Sequence, residues 1–326
     1  MKKHITRLLF AALLLLALCI GASAAGTSGK CGPSAYWSFD SSTGTLTISG
    51  SGAMNDYEYG NDYPWMDYRD SIQTIVIGDQ ITQIGRYAFT GTACSTIKFG
   101  KNVRSIGERA FLECRNLNGD LTIPDSVVEI GERAFYQCEN LNGTLTLGRS
   151  LRTIGKEAFY WCAFTGSLTI PEGVTEIGFA AFSGCYNLKS VQLPKSLIKI
   201  GASAFFGCAA LQKVEFPENS GLELSNSAFA STGLRELDLP ENVKLEDDCV
   251  FANCEKLTRA RVEIKGEIRP HTFANCISLK TVFLGKEIST IGNSAFECCF
   301  ALSEINYEGD NKEIQKKVDQ LLEKQN

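Results

Sequence analysis

Cysteine is the residue in this sequence with the greatest capacity for chemistry, and it occurs thirteen times in 326 residues. Eight of the cysteines recur at one position, three residues after a phenylalanine: Cys114, Cys138, Cys162, Cys185, Cys208, Cys254, Cys276 and Cys299. A column of thiols could form disulfides, bind a metal or pack as small buried side chains. Neighbours in such a column point the same way, which disfavours the disulfide torsion. The pattern therefore favours buried free thiols, and we predict no metal and no other cofactor.

Histidine is too scarce to support the common hydrolytic sites. The chain has two histidines, and His4 lies in an apparent export signal, so one histidine, His271, remains in the mature chain. This nearly excludes a Ser-His-Asp triad or a multi-histidine metal site. Cys249 and His271 share the position two residues before the phenylalanine in adjacent repeats, where they could act as nucleophile and base. Two unrelated surface side chains are the favoured interpretation, and the sequence predicts a protein that is not an enzyme.

Outward-facing residues on regularly spaced strands form a second candidate site. In the first half of the chain these residues are mostly small and hydroxylated, and in the second half they form blocks of charge. One interpretation is a set of solvated cross-strand pairs, each contributing about 0.2–1 kcal/mol. The other is a contact surface for a partner, with Phe283 as an aromatic anchor. The residues predicted to contact a partner are Lys213, Glu215, Glu236, Asp238, Arg259, Arg261 and Phe283.

The segment 54–70 is the most aromatic and acidic part of the chain. As a cap, its aromatic rings would cover the first repeat. As a binding site, Tyr57, Tyr59 and Trp65 could stack on a glycan or contact a partner. Its carboxylates could also bind Ca²⁺, although their spacing fits no EF-hand loop. The cap is the favoured interpretation.

The recurring cysteines belong to one repeated phrase. A typical copy contains Ile130–Gly131, Ala134–Phe135 and Cys138. The phrase returns about every 23 residues, and self-similarity at a fixed period predicts a solenoid. Its anchor phenylalanines are Phe89, Phe111, Phe135, Phe159, Phe182, Phe205, Phe229, Phe251, Phe273 and Phe296. Because one unit cannot bury its own apolar face, stacked units are expected to share a continuous core.

An apolar pattern precedes each phrase and predicts about eleven short strands in a single parallel sheet, joined by tight turns or short helical segments. The glycine of each Ile-Gly pair is expected to permit a positive φ or close packing at a corner. Length variation is confined to the turn that returns from the phenylalanine to the next strand. The Ile-Gly pair is altered at 224–225, 246–247 and 268–269, so the repeat geometry is less regular near 220–270.

Four segments are predicted along the chain: a signal peptide at 1–24, an N-terminal cap module at 25–71, the solenoid at 72–310 and a C-terminal capping helix at 311–326. The cap module contains a β-hairpin pattern, with alternating residues at 36–39 and 45–48 around a turn-rich segment. In the final segment Ile314, Val318, Leu321 and Leu322 share one helical face. Such a helix would cover the open end of the solenoid.

The first 24 residues have the features of a secretory signal peptide: a basic start, a short apolar run and a small-residue site that predicts cleavage after Ala24. The bulky Leu18 disfavours a lipoprotein signal at Cys19. Cleavage would remove three positive charges and change the net charge from -5 to about -8. The mature chain is expected to contain no transmembrane segment, and nothing in it resembles a basic nucleic-acid footprint.

Over residues 72–310 the repeated phrase resembles the BspA-like leucine-rich-repeat family of bacterial secreted and surface proteins. The similarity extends into the entry module through Cys31–Gly32, Trp37, 44–50 and Pro64–Trp65. The resemblance implies adhesion, with a host matrix protein or a microbial surface protein as ligand.

The sequence therefore predicts an exported, non-enzymatic recognition protein, secreted or associated with the cell surface, that binds protein partners through its solenoid face as a monomer. One alternative is a structural component of the cell envelope. A second alternative is a glycan-binding protein that uses the aromatic 54–70 segment.

Overall fold

The computed structural model describes residues 27–60, 63–218 and 221–323. The predicted signal peptide therefore lies outside the described residues. The described chain winds as a parallel-strand solenoid of about ten turns with one C-terminal helix. Each turn contains a front strand, a back strand and an arc that carries the anchor phenylalanine. The predicted fold class, a leucine-rich-repeat solenoid, is confirmed.

The N-terminal residues form the first turn of the coil. Strand β1 (Ser28–Lys30) and strand β3 (Thr45–Gly50) both pair with β2 (Ala35–Asp40) in antiparallel fashion, which confirms the predicted hairpin. Strand β3 then pairs in parallel with the first front strand, and β4 (Gly52–Ala53) begins the back sheet. The entry module is thus continuous with the solenoid through both sheets.

Eleven front strands follow: β5 (Thr74–Ile77), β7 (Thr96–Lys98), β9 (Leu121–Thr122), β11 (Leu145–Thr146), β13 (Gly166–Thr169), β15 (Leu188–Gln192), β17 (Lys213–Glu215), β19 (Glu236–Leu239), β21 (Arg259–Val262), β23 (Thr281–Leu284) and β25 (Glu304–Tyr307). Their side chains alternate between core and solvent, as on β19, where Leu237 is buried and Glu236 is exposed. Hydrogen-bonded pairing is interrupted after β7, β11 and β17. At each interruption the return turn changes length, so the strands no longer meet in register.

The back strands are β6 (Ile81–Ile84), β8 (Ser105–Ile106), β10 (Glu129–Ile130), β12 (Thr153–Ile154), β14 (Glu176–Ile177), β16 (Lys199–Ile200), β18 (Glu223–Leu224), β20 (Lys244–Leu245), β22 (Gly266–Ile268) and β24 (Ile288–Ile291). The back strands from β4 to β20, which carry even numbers, form a continuous nine-stranded parallel sheet. Strand β22 pairs separately with β24. The sequence predicts a single sheet and misses this second one, because most of its strands have two residues and show no alternation. The nine-stranded sheet ends at β20, whose Leu245 pairs with Leu224, so the altered Ile-Gly pair here is Leu245–Glu246 and not the predicted 246–247.

The glycine of the Ile-Gly pair is required by close packing rather than by a positive φ. A Cβ added at Gly131 would lie 2.7 Å from the amide nitrogen of Glu108 in the preceding turn, and Gly131 is not among the positive-φ residues. Left-handed φ values occur instead on both sides of the anchor phenylalanine, for example 54° at Arg133 and 55° at Gln137. Glycine therefore lets successive turns approach closely at this corner, although Ser225 is accommodated at the equivalent position within the back sheet.

These left-handed residues create a third hydrogen-bonded ladder along the arc. Alternation of φ turns every second N–H group toward the next turn, so that Phe135 N–H donates to the Ala158 carbonyl at 2.8 Å. The flanking Arg133 and Gln137 amides donate in the same direction, each at 2.8 Å. A left-handed conformation costs about 1–2 kcal/mol for a residue with a side chain. The ladder offsets that cost because it leaves these backbone groups paired.

The anchor phenylalanines form one stacked column through the core. Consecutive rings are nearly parallel, with a centroid separation of 5.1 Å between Phe111 and Phe135 and 5.8 Å between Phe251 and Phe273. At the C-terminal end, helix α1 (Lys312–Glu323) buries Ile314 and Val318, and the half-buried Leu321 and Leu322 also pack on the core. The predicted face of this helix is confirmed.

Candidate functional site

The front strands present an ordered surface, which we call the front face: the outward side chains on β5 to β25. On every one of these strands the outward side chains are exposed or half-buried. Between β13 and β17 these residues hold one another in place across the strands. Ser190 Oγ lies 2.7 Å from Ser167 Oγ, and Thr169 Oγ1 lies 3.4 Å from Gln192 Oε1. The N-terminal half of the front face is therefore a rigid surface rich in hydroxyl groups.

Shallow hollows follow this half of the front face. One of about 440 Å³ lies between β7 and β9, where the front sheet is interrupted, and is lined by Thr96, Phe99 and Asp120 among others. A second, of about 360 Å³, lies at the interruption between β11 and β13. A third, of about 350 Å³, runs from Ser167 to Glu215. The changes in turn length therefore shape the surface as well as the sheet.

The six charged residues predicted to contact a partner lie on three adjacent strands, and we call them the charged block: Lys213, Glu215, Glu236, Asp238, Arg259 and Arg261. The register places Glu236 opposite Arg259 and Asp238 opposite Arg261. An acidic band on β19 thus adjoins a basic band on β21, and β17 carries one charge of each sign. The structure brings these residues together.

The charged block is also paired within itself and with its neighbours. Lys213 Nζ lies 2.7 Å from Glu215 Oε1, and this hydrogen bond raises the pKa of Lys213. Arg259 Nη1 lies 3.4 Å from Asp238 Oδ1. Arg261 forms ion pairs with two acidic neighbours outside the block, Glu263 and Glu308. Exposed pairs of this kind contribute about 0–1 kcal/mol, so they orient the side chains without making a large contribution to stability.

Phe283 lies beside the charged block and is half-buried. The Arg259 guanidinium lies over its ring at 5.2 Å from the centroid. Asn306 is the cross-strand neighbour of Phe283 on β25. Arg259 thus partly covers the predicted aromatic anchor. A partner that contacts the Phe283 ring would have to displace this guanidinium or contact it as well.

The 54–70 segment is packed as a cap, and the prediction that Tyr57 and Trp65 contact a ligand is wrong. Trp65 is completely buried and Tyr57 is 7% exposed, so a glycan cannot reach either ring. The Trp65 indole stacks on Phe89 at 5.4 Å, and its Nε1–H donates to the Ala88 carbonyl at 3.0 Å. Trp65 thereby occupies the first place in the phenylalanine column. Tyr59 remains exposed, at 66%.

The cysteine column has a structural role that the sequence pattern predicts only in part. All twelve cysteines of the described chain are free, and the eight in the column are buried. Each column thiol donates to the carbonyl of the anchor phenylalanine in the preceding repeat. For example, Cys162 Sγ donates to Phe135 O at 3.1 Å. Cysteine is therefore favoured over alanine because the buried carbonyl gains a second donor. Burial raises the pKa of the Cys185 and Cys299 thiols to about 12.

The two repeats without a column cysteine use threonine instead. Thr92 and Thr232 are buried, and each hydroxyl donates to the carbonyl of its own anchor phenylalanine, at 3.0 Å and 2.9 Å respectively. Each hydroxyl also lies near the thiol of the next repeat, with 3.1 Å between Thr232 Oγ1 and Cys254 Sγ. The position therefore requires a small side chain that can donate a hydrogen bond.

Burial of the thiols predicts a simple titration result. Cys249 and Cys298 are half-buried, whereas the other ten cysteines of the described chain are buried. We expect Cys249 and Cys298 to react with an excess of thiol reagent in the native state, Cys249 slowly because the pKa of its thiol is raised, and all twelve thiols to react in denaturant. Cys249→Ser should lower the native-state count by one. Recovery of the ten buried thiols only after chemical reduction would contradict free thiols in the column.

The Cys249 and His271 pair is not arranged for nucleophilic catalysis. Cys249 packs against Ala230, Ala252 and Ala274. Burial, and secondarily the charge of Asp248, raise the pKa of its thiol, whereas a nucleophile needs a lowered pKa. His271 Nδ1 lies 3.4 Å from Glu297 Oε2 in the next repeat. Within residues 27–60, 63–218 and 221–323, no three His, Cys, Asp or Glu side chains are grouped so that they could hold a metal ion.

One group of surface residues was not predicted from the sequence. Trp161, Phe179, Tyr186 and Phe206 lie on the arc side, and each is 42–49% exposed. The phrase around the anchor phenylalanine has the pattern of a core segment, so its exposed positions do not stand out in a single copy. A comparison of its copies position by position would have found Trp161, because the same position holds small or polar residues in the other nine repeats.

The fold and its surfaces define a repeat protein with an extended face and no assembled catalytic group among the described residues. The family described as "BspA type Leucine rich repeat region (6 copies)" matches residues 66–165, 116–232, 152–267 and 219–318. The chain belongs to this BspA-type leucine-rich-repeat family. A comparison with curated proteins gave no significant match.

Solved structures share the fold at low sequence identity. A leucine-rich repeat protein from Bacteroides ovatus is 24% identical, with a TM-score of 0.61 over 82% of this chain and 80% of that one. One from Eubacterium ventriosum is 21% identical, with a TM-score of 0.52 over 86% of this chain and 84% of that one. A leucine rich cell surface protein from Faecalibacterium prausnitzii is 23% identical over 90% of this chain and 98% of that one, with a TM-score of 0.34.

For the part of the chain that the structure describes, no helix combines the length and the apolar character needed to cross a bilayer.

Proposed function

We propose that this chain is an exported, non-enzymatic recognition protein that binds protein partners through its front face. The observation that carries this proposal is the row of outward side chains on eleven successive front strands, which the shared core beneath holds on one side of the solenoid across three interruptions of the sheet. A solenoid surface of this kind suits multipoint contact with an extended partner surface. The raised pKa and packing of Cys249 support a role other than catalysis.

The charged block is the part of the front face that we propose to confer specificity. Its acidic band and basic band lie side by side, so a matching partner would present a basic band beside an acidic one. Such complementarity directs the encounter and disfavours partners with the opposite arrangement. Phe283 would add an apolar contact next to Arg259, and Arg with an aromatic ring is a common combination at binding hot spots.

The proposed setting is the bacterial exterior. The signal-like residues 1–24 support export. Membership of the BspA-type family supports a surface or secreted location, with host matrix proteins or microbial surface proteins as the proposed class of partner. The glycan-binding alternative through 54–70 loses support because its tryptophan and Tyr57 are buried.

Charge reversal on the front face tests the proposal. We expect Arg259→Glu with Arg261→Glu to weaken the affinity for the partner by about tenfold or more, because the basic band becomes acidic. Binding would be measured by biolayer interferometry against a panel of purified extracellular matrix and bacterial surface proteins. The wild-type chain identifies the binder, and the variant is then compared on that binder.

The back sheet provides a matched control. Lys199 and Lys244 are exposed on β16 and β20, and Lys244 Nζ lies 3.4 Å from Glu223 Oε1 in a pair like that of Arg259 and Asp238. Lys199→Glu with Lys244→Glu changes the net charge by the same amount and should leave binding unchanged. Equal loss in both variants would indicate a general charge effect, and retained binding in the front-face variant would refute the proposal.

A further inference from the structure

The arc side of the solenoid holds a flat tryptophan that the fold does not require. Trp161 lies two residues after the anchor Phe159, and its side chain is 49% exposed. The same position in the other nine repeats holds Gly91, Glu113, Gln137, Gly184, Gly207, Ser231, Asn253, Asn275 and Cys298. The repeats thus act as internal controls, and they show that the turn forms equally well with a small or polar side chain.

The indole of Trp161 lies with one face on the backbone of the next turn. A Cβ added at Gly184 would lie 2.5 Å from Cδ1, 2.7 Å from Nε1 and 3.1 Å from Cγ of Trp161. A point this close to three atoms of the five-membered ring lies over the face of the ring, not beside its edge. Gly184 also has a φ of 75°, which suits glycine. The exposed 49% of the side chain therefore lies on the remaining surface of the indole.

Two further exposed rings accompany this platform. Tyr186 lies in the same turn as Gly184 and is 47% exposed, and Phe206 lies one turn further and is 42% exposed. The turns of Phe159, Phe182 and Phe205 are separated by two steps of 5.3 Å in the column. The three rings therefore lie on three successive turns of the arc.

The arc segments that carry the platform rings contain no charged residue, although Lys156 Nζ of the preceding segment lies 5.7 Å from the ring centroid of the neighbouring Phe179. Residues 158–171, 178–188, 201–211 and 225–234 contain no Asp, Glu, Lys, Arg or His, although 21% of the whole chain is charged. The arcs on either side differ, with Glu132 and Arg133 before the platform and Asp247 and Asp248 after it. An anionic or cationic ligand would find no counter-ion within this stretch. Exposed aromatic surface of this extent marks a contact site.

We propose that Trp161, Tyr186 and Phe206 form a binding platform for an uncharged oligosaccharide. The C–H face of a pyranose ring is apolar and flat, and it matches the open face of an indole, while the sugar hydroxyl groups remain in water or meet polar tips such as that of Tyr186. A flat ring seated on backbone offers no pocket for a protruding side chain, which favours a sugar ring over a protein partner. This platform is separate from the front face and extends the function proposed above.

Tryptophan fluorescence offers a direct test, because Trp37 and Trp65 are buried and Trp161 is the exposed tryptophan of the three. The full chain would be titrated with cellohexaose, laminarihexaose, mannohexaose and xylohexaose, with hyaluronan as an anionic comparison. We expect at least one of the four uncharged hexasaccharides to protect Trp161 from acrylamide quenching in a saturable manner. Hyaluronan should give no protection.

Substitutions test whether the platform is the site of saccharide binding. Trp161→Gln introduces the residue type that the preceding repeat has at this position, Gln137. Saccharide binding measured by calorimetry should weaken by about tenfold or more. Phe300→Ala removes another exposed ring, 73% exposed in the last repeat, and should leave binding within about twofold of wild type. The front-face variant Arg259→Glu with Arg261→Glu should bind the saccharide normally, so this test is independent of the protein-binding proposal.

Three results would overturn the proposal. The first is the absence of a saturable response to all four hexasaccharides. The second is unchanged saccharide affinity in Trp161→Gln. The third is a dimer in sedimentation velocity that Trp161→Gln converts to a monomer without any saccharide response, which would assign the rings to a contact between two copies of the chain.

Discussion

Replacement of Phe205 by alanine is expected to lower the free energy of unfolding by about 3–5 kcal/mol. Phe205 is completely buried and stacks between Phe182 at 5.3 Å and Phe229 at 5.2 Å. Loss of the ring leaves a cavity and removes contacts on both of its faces. Because each turn is supported only by its neighbours, the damage should spread to adjacent turns. Chemical denaturation followed by circular dichroism would measure the change.

The adjacent residue is the matched control. Phe206 is the same residue type, one position along the chain, and 42% exposed. Phe206→Ala should change the free energy of unfolding by about 0.5 kcal/mol or less. Similar losses from both variants would contradict the stacked column as the main source of stability.

Replacement of Trp65 by alanine is expected to have an effect of similar size, about 3–5 kcal/mol. Trp65 ends the column at the N-terminal side, where it covers Phe89 and donates to the Ala88 carbonyl. It also contacts Trp37 of the hairpin at 5.9 Å and Tyr57 at 5.7 Å. Its removal would therefore expose the first repeat and release the hairpin from the solenoid. Thermal and chemical denaturation would report the loss.

Trp161→Ala is the control for this variant, since it removes the same residue type from the surface. We expect a change of about 0.5 kcal/mol or less in the free energy of unfolding. Hydrogen exchange would locate the effect of Trp65→Ala, with faster exchange in β5 and β6 than in β23 and β24. A Trp65→Ala protein as stable as wild type would show that the entry segment does not cap the column.

The repeat period and the core residues could be predicted from the sequence because they recur. The anchor phenylalanine recurs ten times, eight of them after an alanine, and each Phe ring is buried as predicted. The back sheet could not be predicted in the same way, because Glu129–Ile130 and its equivalents are too short to show alternation. The left-handed φ of Arg133 was equally hidden, because residues with side chains seldom adopt it.

Single features, which occur once in the chain, were harder to assign than repeated ones. Trp65 and Tyr57 have the composition of an exposed aromatic site, and only tertiary packing shows that they continue the core column. The charged block was located correctly on adjacent strands, but its internal pairing, such as Arg259 with Asp238, depends on side-chain conformation. Trp161 was overlooked because it lies beside a residue of the core.

The central claim is that protein partners meet the front face. Three exposed residues of one turn lie on its three sides: Asp238 on the front strand, Lys244 on the back strand and Asn253 on the arc. A photo-crosslinking amino acid placed at each position in turn would be irradiated with a bound partner from the panel. We predict a crosslinked product from position 238 and none from positions 244 or 253. Crosslinking from position 244 or 253 without crosslinking from position 238 would contradict the claim.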